Sequence, residues 1–67
     1  MKSFNFKFRL NQELINDVGY DIEYEAKEGE KETVQVWFQA PGEEEIYVLY
    51  EKEMVEQCVN DGSWVVL

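Results

Sequence analysis

The stretch that decides the fold runs from Tyr20 to Ala40, YDIEYEAKEGEKETVQVWFQA. In its first half Tyr20, Ile22, Tyr24 and Ala26 alternate with Asp21, Glu23 and Glu25, and in its second half Val34, Val36, Phe38 and Ala40 alternate with more polar neighbours. A period of two places each apolar set on one face of an extended strand. KEGEK, residues 27–31, supplies the loop between them. The two strands therefore form an antiparallel hairpin. Facing residues in a hairpin share a sheet face, so matching the patterns pairs Tyr24 with Val34, Ile22 with Val36 and Tyr20 with Phe38.

Upstream, Phe4, Phe6, Phe8 and Leu10 alternate with Ser3, Asn5, Lys7 and Arg9, and they predict a further strand. Asn11 then offers a helix N-cap, Glu13 sits in a first turn where the helix dipole favours an acid, and Gly19 can close the last turn. Between these signals Leu14, Ile15 and Val18 share one face of a short helix. Downstream, Pro41-Gly42 is a turn dipeptide, and the wholly apolar run Ile46 to Tyr50 reads as a central strand with Ile46, Val48 and Tyr50 inward. The same matching of faces opposes Phe38 with Val48 and Val36 with Tyr50. A second helix starts near Glu51, carries Met54, Val55, Cys58 and Val59 on its apolar stripe, and stops at Asn60-Asp61-Gly62. SWVVL at residues 63–67 is a fifth strand.

The order is thus βαβββαβ in a single domain of 67 residues. Helices this short do not stand alone in water, so they must lie on the sheet. The expected fold class is α+β, a small two-layer sandwich with a mainly antiparallel sheet of about five strands. An aromatic share of 15% is too high for a disordered chain and implies a packed core.

Charge narrows the function. Residues 1–10 hold Lys2, Lys7 and Arg9 and no acid, whereas residues 11–67 hold all fifteen acids against three lysines, for a net charge of -9. Such a field repels phosphate backbones and anionic lipid and speeds encounter with basic proteins. Direct nucleic-acid binding and membrane binding are disfavoured. The N-terminal segment lacks the apolar core of a signal peptide, and one cysteine, Cys58, cannot form an internal disulfide. A cytoplasmic location is expected.

Enzymatic function is also disfavoured. The chain has no His, the commonest general base, and its few hydroxyls and single thiol have no recognisable activating partner. The acids lack the fixed offsets of a calcium loop, so no metal site and no cofactor are expected.

Two sets of residues are candidate binding elements. The register that buries Val36 and Phe38 turns Trp37 outward, opposite Leu49, with Tyr47 one pair along and facing Gln39. These form an aromatic anchor of the kind found at interface hot spots, provided that no helix or second copy covers them. The other set is acidic. Asp21, Glu23 and Glu25 make a ladder about 6.7 Å apart along a strand, and Glu43, Glu44 and Glu45 extend the charge towards Glu51, Glu53 and Glu56. Together they can imitate a phosphate array. The composition fits a non-catalytic acidic protein-binding module, in its narrower form an inhibitor that mimics nucleic acid on a basic surface of a nucleic-acid-handling protein. Phage anti-defence and anti-CRISPR proteins are often of this size and charge. The alternatives are a homo-oligomeric structural or regulatory protein whose outer patch is a self-interface, or a small nucleic-acid binder using Lys7, Arg9 and the aromatics, and the first strand would offer a further route to a dimer if it were a sheet edge.

Overall fold

The computed structural model describes residues 3–67, so Lys2 of the basic N-terminal set lies outside the described residues. The chain runs β1 (Phe6–Leu10), α1 (Gln12–Val18), β2 (Tyr24–Glu28), β3 (Thr33–Phe38), β4 (Ile46–Glu51), α2 (Lys52–Asn60) and β5 (Trp64–Val66). All five strands join one antiparallel sheet in the order β4-β3-β2-β1-β5. The α+β class and the βαβββαβ order are those expected from the sequence.

Local chemistry accounts for the helix ends. Asn11 has extended backbone, and its side-chain oxygen accepts a hydrogen bond from the Leu14 N–H at 2.9 Å, satisfying one of the donors that a helix start leaves free. Gly19 takes the left-handed conformation at φ 93° and donates its N–H to the Ile15 carbonyl. α2 has no side-chain cap, and Glu53 in its first turn complements the dipole instead.

The core occupies one face of the sheet. Phe8 is fully buried, with the Trp64 ring stacked at 4.1 Å and the Tyr24 ring at 5.2 Å. Phe4, Ala26, Val34, Val36 and Val55 complete the buried cluster, and Val55 is the one fully buried position that α2 contributes. Tyr50 on β4 and Trp64 on β5 meet at 5.3 Å although their strands lie at opposite edges. A flat sheet would hold those edges about 19 Å apart. The sheet is therefore strongly curled around the aromatic core, and α2, which links the two edge strands, packs against β3, β4 and β5 across the mouth of the curl.

Three expectations need correction. The β2–β3 hairpin pairs Ala26 with Val36 and Glu28 with Val34, four residues from the expected register, and ladder pairing starts at Tyr24 rather than Tyr20. The turn is centred later because Lys31 takes positive φ while the Gly29 N–H donates to the Thr33 carbonyl. The β3–β4 pair is offset by two residues, with Val36 facing Val48 and Phe38 facing Ile46, because Gly42 at φ 79° sits at the centre of the reversal. Both offsets are even, so every side chain keeps its expected face. Finally, β1 is flanked by β2 and β5 and is no sheet edge, whereas β4, read as central, is an edge strand.

Two protonation equilibria report on this core, and a third on the surface pair of Lys52 and Glu28. Burial pushes the Tyr24 hydroxyl up, with Tyr20, Tyr50 and Asp21 adding to it. The Cys58 thiol is pushed up by burial and then by Asp61. Lys52 is raised chiefly by its hydrogen bond to Glu28, at 3.0 Å. Each group holds its proton more tightly folded than unfolded, so its contribution is complete below the unfolded pKa and is lost as pH rises through the folded one. The urea midpoint is expected to fall steadily between about pH 8.5 and 11. A midpoint that is flat or rising over that window contradicts these assignments.

Candidate binding face

The face of the sheet away from the core carries the candidate site. Strand alternation and the observed register align Lys7, Glu25, Trp37 and Tyr47 in one row across β1, β2, β3 and β4, with Lys27, Gln35 and Leu49 in the next. Trp37 and Tyr47 are thus directly paired, and Leu49 faces Gln35 rather than Trp37. The Trp37 and Tyr47 rings lie 4.7 Å apart at 33°, the Trp37 indole N–H donates to Gln35 Oε1 at 3.0 Å, and the Lys27 ammonium sits 5.1 Å from the Trp37 ring centre. Trp37 is half-buried, held by these neighbours, while Tyr47 is 48% and Leu49 58% exposed. The buried members of both the sheet and α2 belong to the single core on the other face, so neither helix covers this patch.

The acids divide into three groups. Glu23, Glu25 and Glu45 line one depression of about 320 Å³ together with Lys7, Trp37 and Gln39. Glu43 and Glu44 border a separate hollow of about 390 Å³ at the end of the core face, against Phe38, Ala40 and Ile46. Asp21 stands apart, its carboxylate 2.9 Å from the Arg9 guanidinium. The expected ladder of Asp21, Glu23 and Glu25 does not form, because pairing starts at Tyr24 and Arg9 takes the first acid. Among the described residues, none of Glu23, Glu25, Glu43, Glu44 or Glu45 is held in an ion pair.

The chemistry of this face suits cations, and the chain's own Lys27 already occupies one such position over the Trp37 ring. A ring surface holds a guanidinium or ammonium flat against it, and carboxylates beside the ring supply its counter-charge. The described residues hold no group of three His, Cys, Asp or Glu side chains placed to take a metal ion, and no helix is long and apolar enough to cross a membrane.

One feature is only faintly marked in the sequence. The core face is open at one end, where Phe8, Leu10, Val18, Tyr20, Phe38 and Val48 line an apolar cavity of about 230 Å³. The signal available is helix length: seven residues of α1 span about 10 Å, half the width of the sheet. Compared with protein families, curated proteins and solved structures, the chain finds no match.

Proposed function

We propose that the protein is a non-catalytic binding module that docks a basic protein surface on the Trp37 face. The observation that carries this reading is the open Trp37–Tyr47–Leu49 patch beside Glu23, Glu25 and Glu45, three carboxylates with no ion pair of their own. Aromatic anchors inside a charged rim are how binding energy is commonly concentrated, and the rim steers encounter. A net charge of -9 on a chain this small supports the narrower form, an inhibitor that occupies the nucleic-acid surface of its target in the manner of phage anti-defence proteins. A reducing, cytoplasmic setting suits the half-buried lone Cys58. Direct nucleic-acid binding is not favoured, since Arg9 is held by Asp21 and Lys7 lies in register with Glu25, so β1 offers phosphates little free positive charge.

The test uses a partner captured from a native lysate and then purified. Replacing Glu23, Glu25 and Glu45 together with Gln is expected to weaken binding about tenfold at low salt, from roughly 0.5 kcal/mol for each charge. The dependence of affinity on salt should flatten in parallel. An unchanged affinity and an unchanged salt slope would show these acids to be solvated surface and overturn the electrostatic half of the proposal.

A further inference from the structure

The edge strand β4 carries the strongest unexplained feature of the molecule. The Lys52 N–H donates to the Glu32 carbonyl at 2.8 Å, which continues the β3–β4 ladder by one step. Antiparallel pairs alternate between hydrogen-bonded and non-hydrogen-bonded, so Tyr50, Val48 and Ile46 bond to β3 while Tyr47 and Leu49 point their N–H and C=O groups away from it, and Glu51 its N–H, the Glu51 carbonyl being taken by the first turn of α2. Among the described residues, that side has no neighbouring strand. Both faces of the strand are also apolar and open: Ile46 is 52% and Val48 41% exposed on the core side, with Tyr47 and Leu49 exposed on the other. A groove of about 390 Å³ runs along it, lined by Val48, Leu49, Tyr50, Glu51 and Met54.

A strand apolar on both faces has the composition of a sheet interior. Edges are ordinarily protected by shortness, Pro, Lys or a bulge. The opposite edge, β5, is three residues long, but β4 is six residues of IYVLYE in unbroken register with β3. It has the chemistry of a strand awaiting a neighbour.

Charge selects that neighbour. If two copies paired through β4 antiparallel and centred on Val48, Glu45 of each would face Glu51 of the other. Shifting by two residues one way puts Glu51 against Glu43, and the other way puts Glu51 against Tyr47 with Glu45 directed at the acidic first turn of α2, while every such pairing brings together two chains of net charge -9, which opposes it. The complementary occupant is a segment of a different protein, alternately apolar, with Lys or Arg at both ends. We infer that β4 binds such a segment by strand addition, its backbone completing the Tyr47, Leu49 and Glu51 hydrogen bonds and its basic ends meeting Glu43–Glu45 and Glu51–Glu53. This rests on the reading of the chain as a binder of basic proteins and supplies the mode of binding.

The probe is a synthetic peptide alternating Val and Thr between Lys-Arg ends, with two relatives methylated at every second backbone nitrogen in opposite phases. Strand addition uses one edge of the peptide, so one methylated phase is expected to bind at least about tenfold more weakly, from the loss of two or more hydrogen bonds, while the other binds unchanged. On binding, the amide protons of Tyr47, Leu49 and Glu51 should gain protection from solvent exchange. Leu49→Pro removes an outward donor without touching the ladder to β3, so it should keep the native circular dichroism and lose the peptide. Equal binding of both phases, with shifts confined to the Trp37 face, overturns strand addition and leaves the docking face standing. Absence of binding overturns it too, as does a dimer of the unliganded chain that protects the same three amides. Phase-selective binding that ignores Gln substitutions at Glu43–Glu45 overturns the choice of a basic partner instead.

Discussion

Replacing Phe8 with Ala is expected to lower the stability of the chain by about 3–5 kcal/mol, the largest loss expected of any substitution considered for this fold. Phe8 is fully buried on β1, an interior strand that pairs with both β2 and β5, and its ring is stacked against both Tyr24 and Trp64. Truncating a buried Phe costs about 3–5 kcal/mol, because transfer energy is lost and the cavity does not fully collapse. At roughly 0.05–0.15 kcal/mol per residue, a chain of this length has about 3–10 kcal/mol in total. The loss therefore takes between about a third and all of the margin. Far-ultraviolet circular dichroism with a urea titration measures it, and Trp64 fluorescence reports on the same site. A midpoint within experimental error of the parent would show that the core is not organised around this ring. Phe8→Leu, which keeps most of the volume, should fall between the two.

Strand parity alone is enough to place Phe8 in the core. Phe8, Tyr24, Val34 and Val36 are buried because each sits on the inward phase of a period-two pattern, and that phase survives any even slip in register, whereas the all-apolar run Trp64 to Leu67 shows no such phase. Partners do not survive such a slip. The side-chain pattern sets Trp37 against Leu49, yet Trp37 stands against Tyr47, since either pairing satisfies the pattern equally and the choice falls to turn geometry at Lys31 and Gly42. The binding face is legible to the same degree: Trp37, Tyr47 and Leu49 share the outward face as expected, but the acids around them do not follow from strand phase. Glu45 and Glu23 reach Trp37 from outside the ladders, and Asp21 is drawn off by Arg9, twelve positions away. Strand order is the least legible feature. Nothing in the apolar run Ile46 to Tyr50 marks it as an edge, and that mismatch between composition and position is what makes β4 informative.

Trp37→Ala separates a docking face from a structural one. The indole is half-buried on a face that neither helix covers, its contacts being the Tyr47 ring, the Gln35 amide and the Lys27 ammonium, so its loss opens no cavity in the core. The expected cost in stability is about 1–1.5 kcal/mol, from the apolar area its neighbours now expose, which is well below that of Phe8→Ala. Against the captured partner the same substitution is expected to cost about 2 kcal/mol or more, roughly a thirtyfold loss of affinity, because central aromatic anchors dominate such interfaces. Trp37→Phe should recover part of the binding, since a ring still stacks on Tyr47 and presents a face to a cation, though a weaker one than indole. Tyr47→Ser should mirror the loss if the two rings act as one surface, and the double variant should then fall short of the sum of the singles, as contacting residues do. Should Trp37→Ala lower the urea midpoint as far as Phe8→Ala while leaving affinity unchanged, the patch is part of the scaffold, and partner recognition must lie elsewhere on the acidic surface. A large loss of affinity with only a small change in midpoint would instead mark the ring as an anchor, placed outward by the same two-residue period that buries its neighbours Val36 and Phe38.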